Sequence, residues 1–371
     1  MAPAGPRSVL LAGGGTAGPV SPLLALADCL RRRDPEVAVA ALGTEQGLES
    51  RLVPERGYPL HLVPKVPLPR RPSADLARLP GRLRGAVAAA ERAIEETGAQ
   101  VVVGFGGYVS TPAYLAARRR RVPIVVHEQN ARAGLANRLG ARMTPFVATT
   151  FPSTRLPHAR PIGMPLRHEI AALDRAASRA EALAHFGLQE TWPTLLVTGG
   201  SLGAQRLNGT FEARAAELSQ SGLQVLHLTG AGKEFVPESV AHGAPYVVAP
   251  YTDRMDLAYA AADLVVARAG ANTVCELTAV GLPAVYVPLP IGNGEQRFNA
   301  ADVVAAGGGL LVDDAALTPQ WVDATLLPLV GDHERLSAMA AAAAGAGERG
   351  ADGLLADLVA EAFASSATGH R

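Results

Sequence analysis

The chain is short of lysine, of cysteine and of net charge. Lys65 and Lys233 are its two lysines, so its 34 basic side chains are nearly all arginine, balanced by 34 acidic ones. A formal charge of zero gives no electrostatic argument for nucleic acid, and any basic patch has to be local. The arginine bias, with the abundance of alanine, reads as the codon usage of a GC-rich bacterial genome. Cys29 and Cys275 lie far apart in apolar helical contexts. They read as buried free thiols, in keeping with a reducing cytoplasm. No apolar run reaches the length of a spanning helix, and no charged-then-apolar leader opens the chain. The expectation is a soluble, cytoplasmic protein whose membrane contact is peripheral. What is plentiful is apolar: 48% hydrophobic residues over 371 positions suit two cores of ordinary size.

Strand, glycine turn and helix recur along the chain. Ser8 to Ala12 runs into Gly13-Gly14-Gly15-Thr16-Ala17-Gly18-Pro19 and a helix from Ser21 to Arg33, with a second strand from Val37 to Leu42. Val101 to Val103 leads to Gly104-Phe105-Gly106-Gly107, and Pro123 to Val126 leads to His127. The pattern restarts at Thr194 to Thr198 with Gly199-Gly200-Ser201-Leu202-Gly203, followed by strands at 224–228, 246–248, 264–266 and 284–287. Continuous apolar strands alternating with helices indicate parallel sheets covered on both faces. The expected fold class is α/β, two Rossmann-like domains facing each other across a cleft. Pro161-Ile162-Gly163-Met164-Pro165 marks the link. The domains are expected at 1–164, with C-terminal helices from about 345 to 371 packing back onto it, and at 165–344.

Ligands in such sheets bind beyond the carboxyl ends of the strands, where bare backbone approaches phosphate. Turns at 13–18, 104–107, 199–203 and 268–273 are the candidates. Arg268-Ala269-Gly270-Ala271-Asn272-Thr273-Val274-Cys275-Glu276 follows a strand and opens a helix, so its first N–H groups suit a leaving diphosphate. Glu276 in the first turn reads equally as a ribose ligand or as an acid at the positive helix end. The loop from Pro290 to Ala300 reads as a sugar-binding segment or as helix capping by Asn293 and Glu295. Residues 66–85 interleave Arg70, Arg71, Arg78, Arg82 and Arg84 with leucines. That pattern suits either an anionic membrane surface or a solvated helix face.

Taken together and in order, these segments resemble the MurG family. They include His127-Glu128-Gln129-Asn130 through Asn137, Gly163 to Arg167, and Gly294-Glu295-Gln296 through Ala300. The likeness runs over nearly the whole chain. The resemblance implies the GT-B fold and transfer of N-acetylglucosamine from UDP to the undecaprenyl-pyrophosphoryl-N-acetylmuramoyl-pentapeptide (lipid I to lipid II). Inversion at the anomeric carbon is implied, without cofactor or metal, in keeping with the lack of an Asp-x-Asp motif. It implies that Arg167, Ser201 and Asn208 hold the donor diphosphate with Asn272 and Thr273. Thr252 would read uracil, Glu276 the ribose, and Glu295 and Gln296 the sugar. The acceptor side would use Gly14, Gly15, Thr16, Ala17, Gly18, Gly106, Gly107, Tyr108, Asn130 and Asn137, with residues 66–85 toward the inner face of the cell membrane.

Two positions depart from the family pattern. Pro19 stands where the family has its histidine base, and Leu202 where a glutamine is usual. Proline accepts no proton but opens a helix comfortably. Three readings follow: the family reaction with His127, Glu128 or a water as base; a paralogue acting on another polyprenyl or phosphoglycolipid acceptor in antibiotic biosynthesis; or a catalytically weak binder of donor or lipid. A nicotinamide dehydrogenase would need an acid about twenty residues past the first glycines. Asp34 is so placed, but it sits in a turn beside Pro35 and no dehydrogenase signature follows. A UDP-sugar 2-epimerase shares the two-domain plan but not the His127 to Asn137 segment.

Overall fold

The computed structural model describes residues 5–66, 75–200, 204–238, 240–290 and 294–368. The chain forms two compact units, Met1–Arg167 with Arg349–Arg371, and His168–Glu348. The first contains β1 (Ser8–Ala12), α1 (Ala17–Arg33), β2 (Ala38–Gly43), α2 (Glu49–Glu55), β3 (Leu60–Leu62), α3 (Asp75–Thr97), β4 (Val101–Gly104), α4 (Gly107–Arg120), β5 (Ile124–Glu128), α5 (Leu135–Gly140), β6 (Val147–Thr149) and β7 (Ala159–Pro161). The second opens with α6 (His168–Ala171), α7 (Arg175–Phe186), β8 (Thr194–Thr198), α8 (Gln205–Glu212), α9 (Ala215–Gln220), β9 (Gln224–Leu228) and β10 (Tyr246–Ala249). It continues with α10 (Met255–Ala261), β11 (Leu264–Ala267), α11 (Ala271–Ala279), β12 (Ala284–Tyr286), α12 (Glu295–Asn299), α13 (Ala301–Ala305) and β13 (Gly309–Leu311). It closes with α14 (Pro319–Trp321), a π turn, α15 (Leu327–Gly331) and α16 (His333–Gly345). The last helix, α17 (Ala351–Thr368), returns to the first unit.

The first sheet has the order β3-β2-β1-β4-β5-β6-β7 and the second β10-β9-β8-β11-β12-β13, and every pairing is parallel. Both follow the doubly wound plan, in which the chain reverses direction across the sheet after its third strand. The reversal falls between β1 and β4 in one unit and between β8 and β11 in the other. Pro161, unable to donate to a ladder, lies on the edge strand β7.

Alternation along the strands sorts the first core into two layers. Val9, Leu11, Val39 and Val101 pack with Leu23 of α1 and Val359 of α17. Leu10, Ala40 and Val102 pack on the opposite face with Val87 of α3 and with Ala113 and Tyr114 of α4. The chain's end therefore supplies part of a core begun by its first strand. Arg32–Asp352 at 2.7 Å, Arg33–Asp357 at 2.6 Å and Arg160–Glu361 at 2.6 Å rim α17 on exposed surface. Such pairs are worth about 0–1 kcal/mol each, so the apolar face holds the helix. Both cysteines are free thiols, Cys29 buried and Cys275 only half-buried. Among the described residues no helix is long and apolar enough to cross a membrane.

Candidate active site

In the first unit the reversal point gathers the turns after β1 and β4. Helix α1 starts at Ala17, earlier than the sequence suggests, with Thr16 as an extended N-cap. Pro19 is thereby the third helical residue, where an N–H has no helical acceptor and its loss costs little. Gly15 has φ of +96°, a conformation that favours glycine. Gly13 and Gly14 are buried, whereas Gly15 and Thr16 are exposed and Ala17 and Gly18 half-exposed. The two turns are laced together: Phe105 N–H donates to the Ala12 carbonyl at 2.8 Å, and the Ser110 hydroxyl to the same oxygen at 2.9 Å. A Cβ on Gly107 would lie 2.8 Å from the Gly14 carbonyl oxygen, so that contact requires glycine as well. Beside them Tyr108 is exposed, with the Lys65 ammonium 5.5 Å from its ring centre.

The segment after β5 is a buried polar knot. His127 has no exposed surface. Its Nε2 lies 3.0 Å from the Gly163 carbonyl, and its Nδ1 lies 3.1 Å from the Gln129 side-chain amide. The carbonyl can only accept, so Nε2 carries the hydrogen and Nδ1 receives one from Gln129. Burial pushes the imidazole pKa down to about 4. Both nitrogens are engaged, which does not fit a base open to an acceptor hydroxyl. The Glu128 carboxylate accepts from Asn130 N–H (2.9 Å), the Asn130 amide (3.5 Å), Gly134 N–H (2.9 Å) and the Asn137 amide (3.0 Å). Burial raises its pKa, while these donors hold it down. It staples its loop and is likewise not presented as a free base.

Asn137, expected at the acceptor, is committed inward. Its amide donates to the His127 carbonyl at 3.0 Å and to Glu128, and its oxygen accepts from Tyr114 at 2.7 Å. Asn130 stays half-exposed, its carbonyl accepting from Thr154 at 3.1 Å. Arg167 is half-exposed and is the last residue of the first unit.

In the second unit β8 and β11 lie side by side at the corresponding reversal point. Ser201 and Leu202 lie outside the described residues. Helix α11 opens with Gly270 as an extended N-cap and half-buried Asn272 and Thr273 in its first turn. Glu276 follows, its Oε2 accepting from the Tyr259 hydroxyl at 2.8 Å. The buried Tyr259 belongs to α10, just past Thr252, whose hydroxyl accepts from Arg254 N–H at 3.0 Å. Gln296 Oε1 accepts from Leu289 N–H at 2.9 Å, closing its loop, with half-buried Glu295 beside it.

Arg268 clamps these parts. Its guanidinium donates to the Val287 and Pro288 carbonyls and pairs with Asp314 at 2.6 Å. Asn299 reaches the Ala269 carbonyl at 3.3 Å.

Asn208 does not sit as expected for a diphosphate ligand. Its amide donates to the Thr229 carbonyl at 2.9 Å, and its oxygen accepts from His227 Nε2 at 3.2 Å. His227 Nδ1 in turn faces the Tyr246 hydroxyl at 2.9 Å, and burial lowers this imidazole's pKa to about 4. Tyr259, Arg268 and Asn299 gain their importance from what they touch; Arg268 and Asn299 fall within segments the sequence singled out, and Tyr259 does not.

Comparison with known proteins covers both units. Residues 9–149 match the Glycosyltransferase family 28 N-terminal domain and residues 194–354 the Glycosyltransferase family 28 C-terminal domain. A Streptomyces avermitilis protein is 60% identical over 96% of this chain and 99% of its own, and one from Streptomyces coelicolor is 59% identical over 97% and 99%. Both are named UDP-N-acetylglucosamine--N-acetylmuramyl-(pentapeptide) pyrophosphoryl-undecaprenol N-acetylglucosamine transferase. The crystal structure of Acinetobacter baumannii MurG superposes with a TM-score of 0.78 at 27% identity, covering 96% of this chain and all of that one.

Proposed function

The chain belongs to the MurG family, within glycosyltransferase family 28 and with its GT-B fold, and on that premise we propose how it works. It transfers N-acetylglucosamine from UDP to the N-acetylmuramyl sugar of pentapeptide pyrophosphoryl-undecaprenol. The acceptor hydroxyl oxygen bonds to the anomeric carbon with inversion as the bond to UDP breaks, and the hydroxyl proton leaves to a base.

The observation that carries the donor reading is α11: a nine-residue helix opening at the end of β11, with Glu276 one turn in and braced by Tyr259. Its first N–H groups and positive end suit the charge that develops on the leaving diphosphate, the task a metal performs elsewhere. Glu276 receives the ribose hydroxyls, Thr252 lies at the uracil edge, and Asn272, Thr273, Arg167 and Ser201 serve the diphosphate. Glu295 and Gln296 serve the sugar. Asn208 acts indirectly, by anchoring α8 to the end of β9.

On the acceptor side, Thr16, Ala17 and Gly18 at the start of α1, with Gly106, Gly107 and Tyr108 beside them, receive the pyrophosphate. Gly14 and Gly15 shape the turn, and Asn130 lies at its flank. Pro19 has no basic atom, and His127 and Glu128 are engaged, so a water takes the proton. Membrane contact is peripheral, at the inner face. Exposed Arg82 and Arg84 on α3 support it; Arg70 and Arg71 lie outside the described residues.

The test is release of UDP from UDP-N-acetylglucosamine with a lipid I analogue. The parent should turn over, and Pro19→His should raise kcat about tenfold or more, toward the 10²–10⁴ range of general-base catalysis. Donor binding without turnover on any acceptor would overturn the transferase reading, and a Pro19→His variant no faster than the parent would overturn the water-base account.

A further inference from the structure

Beneath the first glycine turn lies a carboxylate that no motif singles out. Glu49 opens α2 and is 1% exposed. Its Oε2 accepts from Gly15 N–H at 2.7 Å, and its Oε1 accepts from the Thr44 N–H at 2.8 Å and the Thr44 hydroxyl at 2.9 Å. Among the described residues it makes no ion pair, so its charge is met by these donors alone. A Cβ on Gly14, Gly43 or Gly47 would overlap the Glu49 side chain. Three bare backbones thus close over one carboxylate.

A buried charge is costly unless donors are arranged for it. Here the donors come from two different loops, the one after β1 and the one after β2. The carboxylate therefore pins the glycine turn to the neighbouring strand end, holding Gly15 at φ of +96°. It also takes the Gly15 N–H inward, away from any phosphate.

We propose that Glu49 is the positioning residue of the acceptor turn: by binding Gly15 N–H and Thr44 together, it sets where the amide groups of Thr16, Ala17 and Gly18 point. Its functional consequence rests on the acceptor reading given above. Gly14, which reads as part of a phosphate cradle, is there to admit this side chain, as is Gly47.

The experiment uses the full chain with Glu49→Gln, which replaces one acceptor oxygen by an NH₂ and so faces one N–H with another donor. Amide hydrogen exchange over residues 13–18 should speed up about ten- to hundredfold, the scale of a lost charge-assisted bond. The Michaelis constant for the lipid acceptor should rise about fivefold or more, while the Kd for UDP stays within about twofold. Thr44→Val, a milder change should Glu49→Gln not fold, should shift both readouts in the same direction by about twofold or more. Unchanged exchange at 13–18 in either variant, or protection lost equally across the first unit, would overturn the proposal. Equal damage to donor and acceptor binding would do so too. If the parent does not turn over on the lipid, the acceptor reading fails by itself, and the exchange measurement still decides on Glu49.

Discussion

At the scale of single residues, the recurring lesson is that polar side chains near a site divide into those facing a ligand and those holding its frame. Tyr259 is of the second kind, since its hydroxyl has Glu276 as partner. Tyr259→Phe leaves packing intact and removes one hydrogen bond to a carboxylate, worth about 1.5–3 kcal/mol. The Michaelis constant for UDP-N-acetylglucosamine should rise about tenfold, with the acceptor value unchanged; steady-state kinetics varying each substrate checks this.

His127 and His227 give a second residue-scale prediction. Each is held near pKa 4, against an ordinary value of 6.5, because burial disfavours the imidazolium. The unfolded chain therefore binds these protons first as pH falls. Stability from the neutral histidines is fully present above about pH 6.5 and is lost as pH falls toward 4, on the order of 3 kcal/mol for each. Urea midpoints measured from pH 7 to pH 4.5 should fall steeply, and His127→Gln should flatten the fall by about one proton's worth. An equal slope in the variant would mean that His127 is not the group responsible.

At the scale of elements, α17 shows how an end of the chain can be structural. Leu355 and Val359 have no exposed surface, whereas Arg33 and Asp357 pair in solvent. Leu355→Ala should cost about 2–5 kcal/mol and Arg33→Ala under about 1 kcal/mol, read as shifts in the denaturation midpoint of the first unit. The long, fully apolar strands were legible from composition because both of their faces are covered. β3, β6, β7 and β13 were not. Each has three residues, as does β12, which shows in the sequence through the apolar run Ala284 to Val287; their pairing depends on a neighbour already in place.

At the scale of the molecule, one unit is continuous in sequence and the other is not. Removing 349–371 should expose the face of α1 and the first sheet that α17 covers. The truncated protein should aggregate or bind a hydrophobic dye, while retaining UDP binding in the second unit within about threefold, as isothermal titration would show. Loss of UDP binding along with the exposure of the first unit's core would mean that the units do not fold independently.

Much of this protein is determined by sequence alone: apolar strands ending in glycine turns, two such halves, and a series of motifs specific enough to name a family before any coordinate. Those features are local, set by neighbours along the chain. Tertiary structure decided which turns meet, because strand order within a sheet is not written in any one segment. It also decided which polar groups remain available. His127 is closed off by Gly163, 36 residues away, and Gly15 is held by Glu49, 34 residues away. A side chain's chemistry depends on whether its lone pairs and protons already have partners, and those partners come from distant segments that only folding brings together.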